Sequence, residues 1–334
     1  MKAQFDFLGL RIEVESACSE LVEETQRDFS YFRAPDGPVE VHIELHRSPP
    51  PFKGLPAIPA SFSTPRNICF LDNDTSYIDY FGRGLTIYNR KQARCAVYGE
   101  DHDLVHEIAY LFILSTVGKW LDSRRVHRLH ALGVSYRNRG ILLLLSSGGG
   151  KSTIALRLLC EPGFLLLSED TPLIDRRGQI LPFPLRIGVH PEQETGIPRQ
   201  YLRTMKRMEF DPKTLIDIEY FRDRLGTETP PAYLLVGKRN LGEISEIVPL
   251  GRLRTFQALL NNMIVGLGVY QGLEFLLERG IWELVSKLGV VISRTYNSLL
   301  LLRSTKAYRF ILGRDMDRNI QTVLTFLEKN VDHD

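Results

Sequence analysis

Lys151 and Ser152 follow a run of small residues, Ser146–Gly150, and precede an acidic pair, Glu169-Asp170, by one short helix and one short strand. These types at this spacing suit chemistry on a phosphate group. Successive small residues let backbone N–H groups face an anion, because side chains there would fill the space its oxygens need. Ser147, Gly148, Gly149 and Gly150 supply that freedom. Lys151 adds a mobile positive charge for the β- and γ-phosphates, the Ser152 hydroxyl suits Mg²⁺, and Thr153 continues the binding segment. The Walker A pattern G-x-x-x-x-G-K-[ST] places its first glycine at position 145, where this chain has Leu145. That departure falls at the strand end of the loop and leaves the anion-facing half intact. Four leucines before the loop and IALRLL after it predict strand, loop and helix, so nucleotide binding is read in preference to a glycine-rich turn capping an ordinary helix.

Glu169 and Asp170 end the apolar run FLLLSED. A strand beside the loop strand would deliver them to the phosphates, where carboxylates hold Mg²⁺ or accept a hydroxyl proton. Arg186, in LPFPLRIGV, offers a planar fork of donors for phosphate oxygens; a structural ion pair is its other reading. Arg199, Arg203, Lys206 and Arg207 gather in PRQYLRTMKR, expected as a helix that either docks substrate or presents a solvated face.

The arrangement resembles the catalytic domain of the HPr serine kinase/phosphorylase family, whose fold is related to that of phosphoenolpyruvate carboxykinase. The family's L-H-G strand corresponds to Leu129-His130-Ala131, its loop G-x-S-G-x-G-K-S to Leu145–Ser152 at every fixed position but the first, and its acidic pair to Ser168-Glu169-Asp170. LPFPLRIGV and AYRFILGRDMDRNIQTVLTFL are similar to later strands and the last helix of related kinases. The likeness spans about residues 126–334 and is strongest over 129–190. It implies ATP- and Mg²⁺-dependent phosphorylation of a seryl hydroxyl on a protein or peptide, in a branch such as a peptide-modification cassette of the SynChlorMet type. Carried over residue by residue, it makes Lys151, His130, Glu169, Asp170 and Arg186 the catalytic set. One acid of the pair would hold metal with Ser152 and the other would accept the serine proton, read here as Asp170 for metal and Glu169 for base with the reverse open. His130 would steady the base or the γ-phosphate. A small-molecule kinase and a non-catalytic nucleotide-binding regulator are the alternatives on the same scaffold.

The chain that must position these residues has 334 of them, 43% hydrophobic and 25% charged, with net charge +2. This is a globular composition with ample core, and the charge is too small to argue for nucleic acid or an anionic membrane. No signal peptide is expected at the N-terminus, and Ala258–Leu277, the most membrane-like run, is broken by polar residues. Cys18, Cys69, Cys95 and Cys160 are scattered, as buried free thiols of a cytoplasmic protein would be. The fold expected is α/β, α+β overall. A smaller α+β module over 1–125 carries a strand over 4–14, a helix over 16–29, strands beginning near 39, 67, 75, 85 and 93, and a helix over 103–123. A P-loop kinase domain over 126–334 follows, with helices also at 253–262 and 273–288. A homo-oligomer is compatible with this organisation.

Overall fold

The computed structural model describes residues 1–146, 148–206, 211–265 and 281–331. The chain forms two compact units. The first comprises Met1–Trp120 and Leu185–Tyr220 with the described part of Tyr270–Glu283; the second comprises Leu121–Pro184 with the described parts of Phe221–Val269 and Leu284–Asp334. The protein is thus α+β with several mixed sheets, and its first unit takes in a segment that the sequence assigned to the second.

The first unit is built on a nine-stranded sheet. Its spatial order is Arg33–Ala34 (β3), Lys2–Asp6 (β1), Arg11–Ser16 (β2), Val41–Arg47 (β4), Arg94–Gly99 (β9), Gly84–Asn89 (β8), Thr75–Asp79 (β7), Ile68–Asp72 (β6) and Phe62–Ser63 (β5). The single strand expected over 4–14 is a hairpin, because Leu8 (φ 55) and Gly9 (φ 89) turn the chain and β1 pairs antiparallel with β2. Ser19–Asp28 (α1) and His102–Ser123 (α2) carry the core's helical side. Phe5, Phe7 and Phe29 are fully buried there, with the Phe29 ring stacked 5.2 Å from Tyr110. Helix α2 is long and apolar enough to cross a membrane, but 72% of its most apolar window is buried inside the protein. It, rather than Ala258–Leu277, is the membrane-like segment of the described residues; most of the latter lies outside them. Cys69 and Cys95 are buried, whereas Cys160 is exposed and Cys18 half-buried.

The second unit holds His127–Arg128 (β10), Leu132–Tyr136 (β11), Arg139–Leu144 (β12), Lys151–Cys160 (α3), Phe164–Ser168 (β13), Leu173–Ile174 (β14) and Ile180–Leu181 (β15). The first unit then takes Ile187–Val189 (β16), Leu202–Met205 (β17) and Lys213–Ile216 (β18), which form a small antiparallel sheet of order β16-β18-β17. PRQYLRTMKR is therefore one 3₁₀ turn and a strand rather than a helix, since Leu202–Met205 pairs with Lys213–Ile216 and strand pairing overrides its local pattern. Arg207 lies outside the described residues. The second unit resumes with Pro231–Arg239 (β19), Glu246–Pro249 (β20), Arg252–Leu260 (α4), Ile281–Ser304 (α5), Lys306–Leu312 (β21) and Met316–Val331 (α6). Of the helix expected at 273–288, residues 281–288 lie in α5 and the first half falls outside the described residues.

Its six-stranded sheet runs β13-β11-β12-β19-β21-β20. The three central strands are parallel and the outer pairings antiparallel. Alternation sorts the two faces. Leu142, Leu144 and Leu234 pack with Leu259 near the end of α4 and Leu301 of α5. On the other face Tyr233 and Tyr308 meet Phe326 of α6 at 5.5 and 4.7 Å. Helix α3 buries Ile154, Ala155, Leu158 and Leu159 and ends before Pro162-Gly163.

Candidate functional site

The glycine loop leaves the sheet where parallel β12 and β19 end side by side, Leu144 opposite Val236. Leu145 is buried here as a last core residue of the strand. Its side chain occupies the room that Gly237 of β19 leaves: a Cβ on Gly237 would stand 2.4 Å from Leu145 Cδ2 and 2.7 Å from its Cγ. The chain turns one residue later, with the Gly149 N–H donating to the Ser146 carbonyl at 2.9 Å. Position 145 thus needs an apolar side chain in this protein and not a turn residue. Gly237→Ala is expected to lower stability by about 1–3 kcal/mol through overpacking, read as a lower midpoint in urea unfolding.

Gly150 caps α3 in the left-handed conformation, φ 97, with no side-chain cap. Arg239, at the end of β19, donates from Nε to the Gly149 carbonyl at 3.0 Å, and its Nη2 would lie 2.5 Å from a Cβ on Gly150. Glycine at 150 therefore answers both the backbone angle and this approach. Gly148 is exposed at the loop tip, and Thr153 is half-buried on the first turn of α3. Ser147 lies outside the described residues.

Lys151, the first residue of α3, is only 6% exposed and is turned back toward the sheet. Its ammonium donates to the Leu145 carbonyl at 2.8 Å and to His130 Nε2 at 2.9 Å, and stands 3.3 Å from Asp170 Oδ1. His130 Nδ1 is 3.2 Å from the same carboxylate oxygen. An ammonium can only donate, so Nε2 is the acceptor and a neutral His130 carries its proton on Nδ1, toward Asp170. Burial pushes the Asp170 carboxyl up, but His130 and the Lys151 charge outweigh it and hold the group below its usual range. Two backbone bonds fix the register: the His130 N–H donates to the Asn262 carbonyl at 3.0 Å and the Ala131 N–H to the Asp170 carbonyl at 3.1 Å.

The neighbouring acid goes elsewhere. Ser152 Oγ donates to Glu169 Oε1 at 2.7 Å, so in this structure the Ser152 hydroxyl meets Glu169, while Asp170, expected to share metal with Ser152, faces Lys151 and His130. The two consecutive acids just past β13 are divided, one to the helix hydroxyl and one to the Lys151–His130 pair. Arg186 belongs to the first unit, where it pairs with fully buried Asp28 and lies 3.8 Å over the Tyr110 ring, so the ion pair of its other reading is present.

Chemically, Ser152 and Glu169 form a hard oxygen pair of the kind that suits Mg²⁺. The N-terminus of α3 with Lys151 suits an anion. Arg239 stands in no motif of the sequence, because only the parallel register of β12 and β19 carries it to the loop. A scan against protein-family models and a search of curated proteins find no match to this chain.

Proposed function

We propose that this chain is a cytoplasmic kinase that transfers phosphate from Mg-ATP to a serine hydroxyl on a protein or peptide. One observation carries the reading. Lys151, His130 and Asp170 meet at the strand end where the glycine loop begins, beside the Ser152–Glu169 pair. A glycine turn serving only as a helix cap has no need of a buried lysine shared between a histidine and a carboxylate. The resemblance of these same residues to the HPr kinase pattern agrees with it, and in this reading the mixed sheet with its glycine loop is that of a P-loop kinase domain.

Phosphoryl transfer depends on positioning and charge stabilisation more than on covalent chemistry. In this reading the N–H groups at the start of α3 hold the phosphate chain, and Lys151 exchanges its present partners for phosphate oxygens. Ser152 and Glu169 hold Mg²⁺, which supplies charge neutralisation when bound. Asp170, oriented by His130, accepts the proton of the serine hydroxyl. These roles reverse those first expected for the two acids, on the ground of the Ser152–Glu169 hydrogen bond.

Asp170→Asn is expected to reduce transfer by about 10²–10⁴-fold while Mg-ATP binding persists. Glu169→Gln is expected to raise the Mg²⁺ requirement instead. The opposite pattern would restore Glu169 as the base. Because the folded site holds Asp170 below its usual range, the base is ionised at neutral pH, and the acidic limb of the rate profile is expected below about pH 4. A limb centred near pH 6 would place the base on another group. The assay uses labelled ATP with short polypeptides encoded near the gene; label on a metabolite would indicate the small-molecule kinase, and binding without transfer the regulator.

A further inference from the structure

On the face of the second unit's sheet that packs against α4, a cavity of about 450 Å³ is lined by Val236, Gly237, Lys238, Leu250, Arg254 and Arg309. Three of these six are cations and none is an acid. Strand alternation explains the convergence. Val236 and Ala307 pack toward the α4 face, so Lys238 and Arg309, each two residues further along its strand, point the same way. Arg239, one residue on, points to the opposite face and reaches the glycine loop. The Leu250 N–H donates to the Ala307 carbonyl at 3.0 Å and brings the start of α4, with Arg254, over the same strand ends.

The charges are placed against their own electrostatics. Among the described residues, the side chains of Lys238, Arg254 and Arg309 have no carboxylate or hydrogen-bond partner. Arg309 is nevertheless half-buried in the middle of β21, where an unpaired guanidinium is costly. Arg252 and Arg254 also occupy the first turn of α4, which contains no acid and whose cap, Gly251, provides no side-chain bond. The positive end of a helix disfavours cations and favours anions. A negatively charged ligand relieves all three conditions, and the volume is that of a small-molecule subsite rather than of a lone ion.

We propose that this cavity is an anion subsite that takes a phosphate or carboxylate group of the molecule receiving the phosphoryl group. Placing that group on the acceptor rests on the kinase reading above; the anion site itself does not. The cavity lies at the strand ends where β12 delivers the loop, but on the sheet face opposite the one Arg239 shares with the loop. A second anionic group can therefore be held there apart from the nucleotide phosphates. An acceptor read in this way carries its serine near an acidic or already phosphorylated position.

The probe is labelled inorganic phosphate in equilibrium dialysis with the full chain. In a Lys151→Ala background phosphate binding is expected to persist, and adding Arg254→Met and Arg309→Met should weaken it at least tenfold. Unchanged binding would overturn the site. Should the Arg309 variant fail to fold, Lys238→Met with Arg254→Met, both at exposed side chains, carries the same comparison. In the otherwise native chain, phosphate and a non-hydrolysable ATP analogue with Mg²⁺ are expected to bind together, and Arg254→Met should leave analogue affinity within twofold. Mutual exclusion, or a tenfold loss of analogue affinity, would assign the cations to the nucleotide and overturn the acceptor subsite. Analogue binding unaffected by Lys151→Ala would sink the kinase reading, while the phosphate measurement still reports on the cavity.

Discussion

Lys151→Ala is expected to reduce phosphate transfer from Mg-ATP by about 10²–10³-fold, the loss typical of removing one preorganised charge donor from a transition state. In the proposed mechanism the variant should also bind nucleotide more weakly, since Lys151 would exchange its present partners for phosphate oxygens. Two partners complicate a simple truncation. His130 Nε2 and the Leu145 carbonyl both lose their donor, and burying an unmet acceptor costs about 1–3 kcal/mol. Urea unfolding of the same variant measures that cost separately from the kinetic effect. Lys151→Arg is a useful companion, because a guanidinium keeps the charge but cannot fit the 2.8–2.9 Å pocket between a carbonyl and a ring nitrogen. Transfer at the native rate in Lys151→Ala would falsify the mechanism.

Asp28→Asn is expected to cost about 3–5 kcal/mol of stability, a large share of the margin of an ordinary domain. Asp28 is fully buried at the end of α1, with Arg186 on one oxygen and Arg203 on the other, and His106 at 2.9 Å. Arg203 continues to Asp217 at 3.0 Å, which Arg27 also reaches through its Nε at 2.7 Å. Removing the central carboxylate leaves two largely buried guanidinium groups without their main counter-charge. Burial by itself would push Asp28 up, but Arg186, His106 and Arg203 hold it well below the usual carboxylate range. A carboxyl whose folded value lies below its unfolded value of about 3.9 stabilises the fold fully above that pH, and the contribution drains away as pH falls further. The native chain is therefore expected to lose urea resistance below about pH 4, with a shallower acid dependence in Asp28→Asn. Equal slopes in the two proteins would show that the network does not couple to pH.

The parts of this molecule legible in sequence are those written in local pattern. The alternation VEVHIELH lies over β4, the leucine run with its glycine loop over β12 and the start of α3, and the final strand and helix match β21 and α6 within two residues. What local pattern could not carry is pairing between distant segments. PRQYLRTMKR has the look of a basic helix, yet Arg203 is spent on acids at positions 28 and 217, and strand pairing flattens the segment. Leu145 reads as a defect in a motif until Gly237, nearly a hundred residues away, is seen to make room for it. Spacing marks the two acids at 169 and 170, but which one meets Ser152 depends on how the chain turns after β13. Lys238 and Arg309 carry no motif at all. Only the pairing of two parallel strands brings them to one face, two register positions apart.

The Asp28 network has a consequence for synthesis. Its bonds to Arg186 and Arg203 span 158 and 175 residues of chain. At a translation rate of about 5–20 residues per second, Asp28 waits on the order of ten seconds or more for its partners to leave the ribosome. By then residues 127–168, which supply strands and the glycine-loop helix of the second unit, have already emerged. The unit that begins first is therefore completed after much of the second has been made. A fragment ending at residue 125 keeps the buried carboxylate and lacks both arginines, and it should be recovered as a chaperone-bound or degraded chain rather than as a free domain.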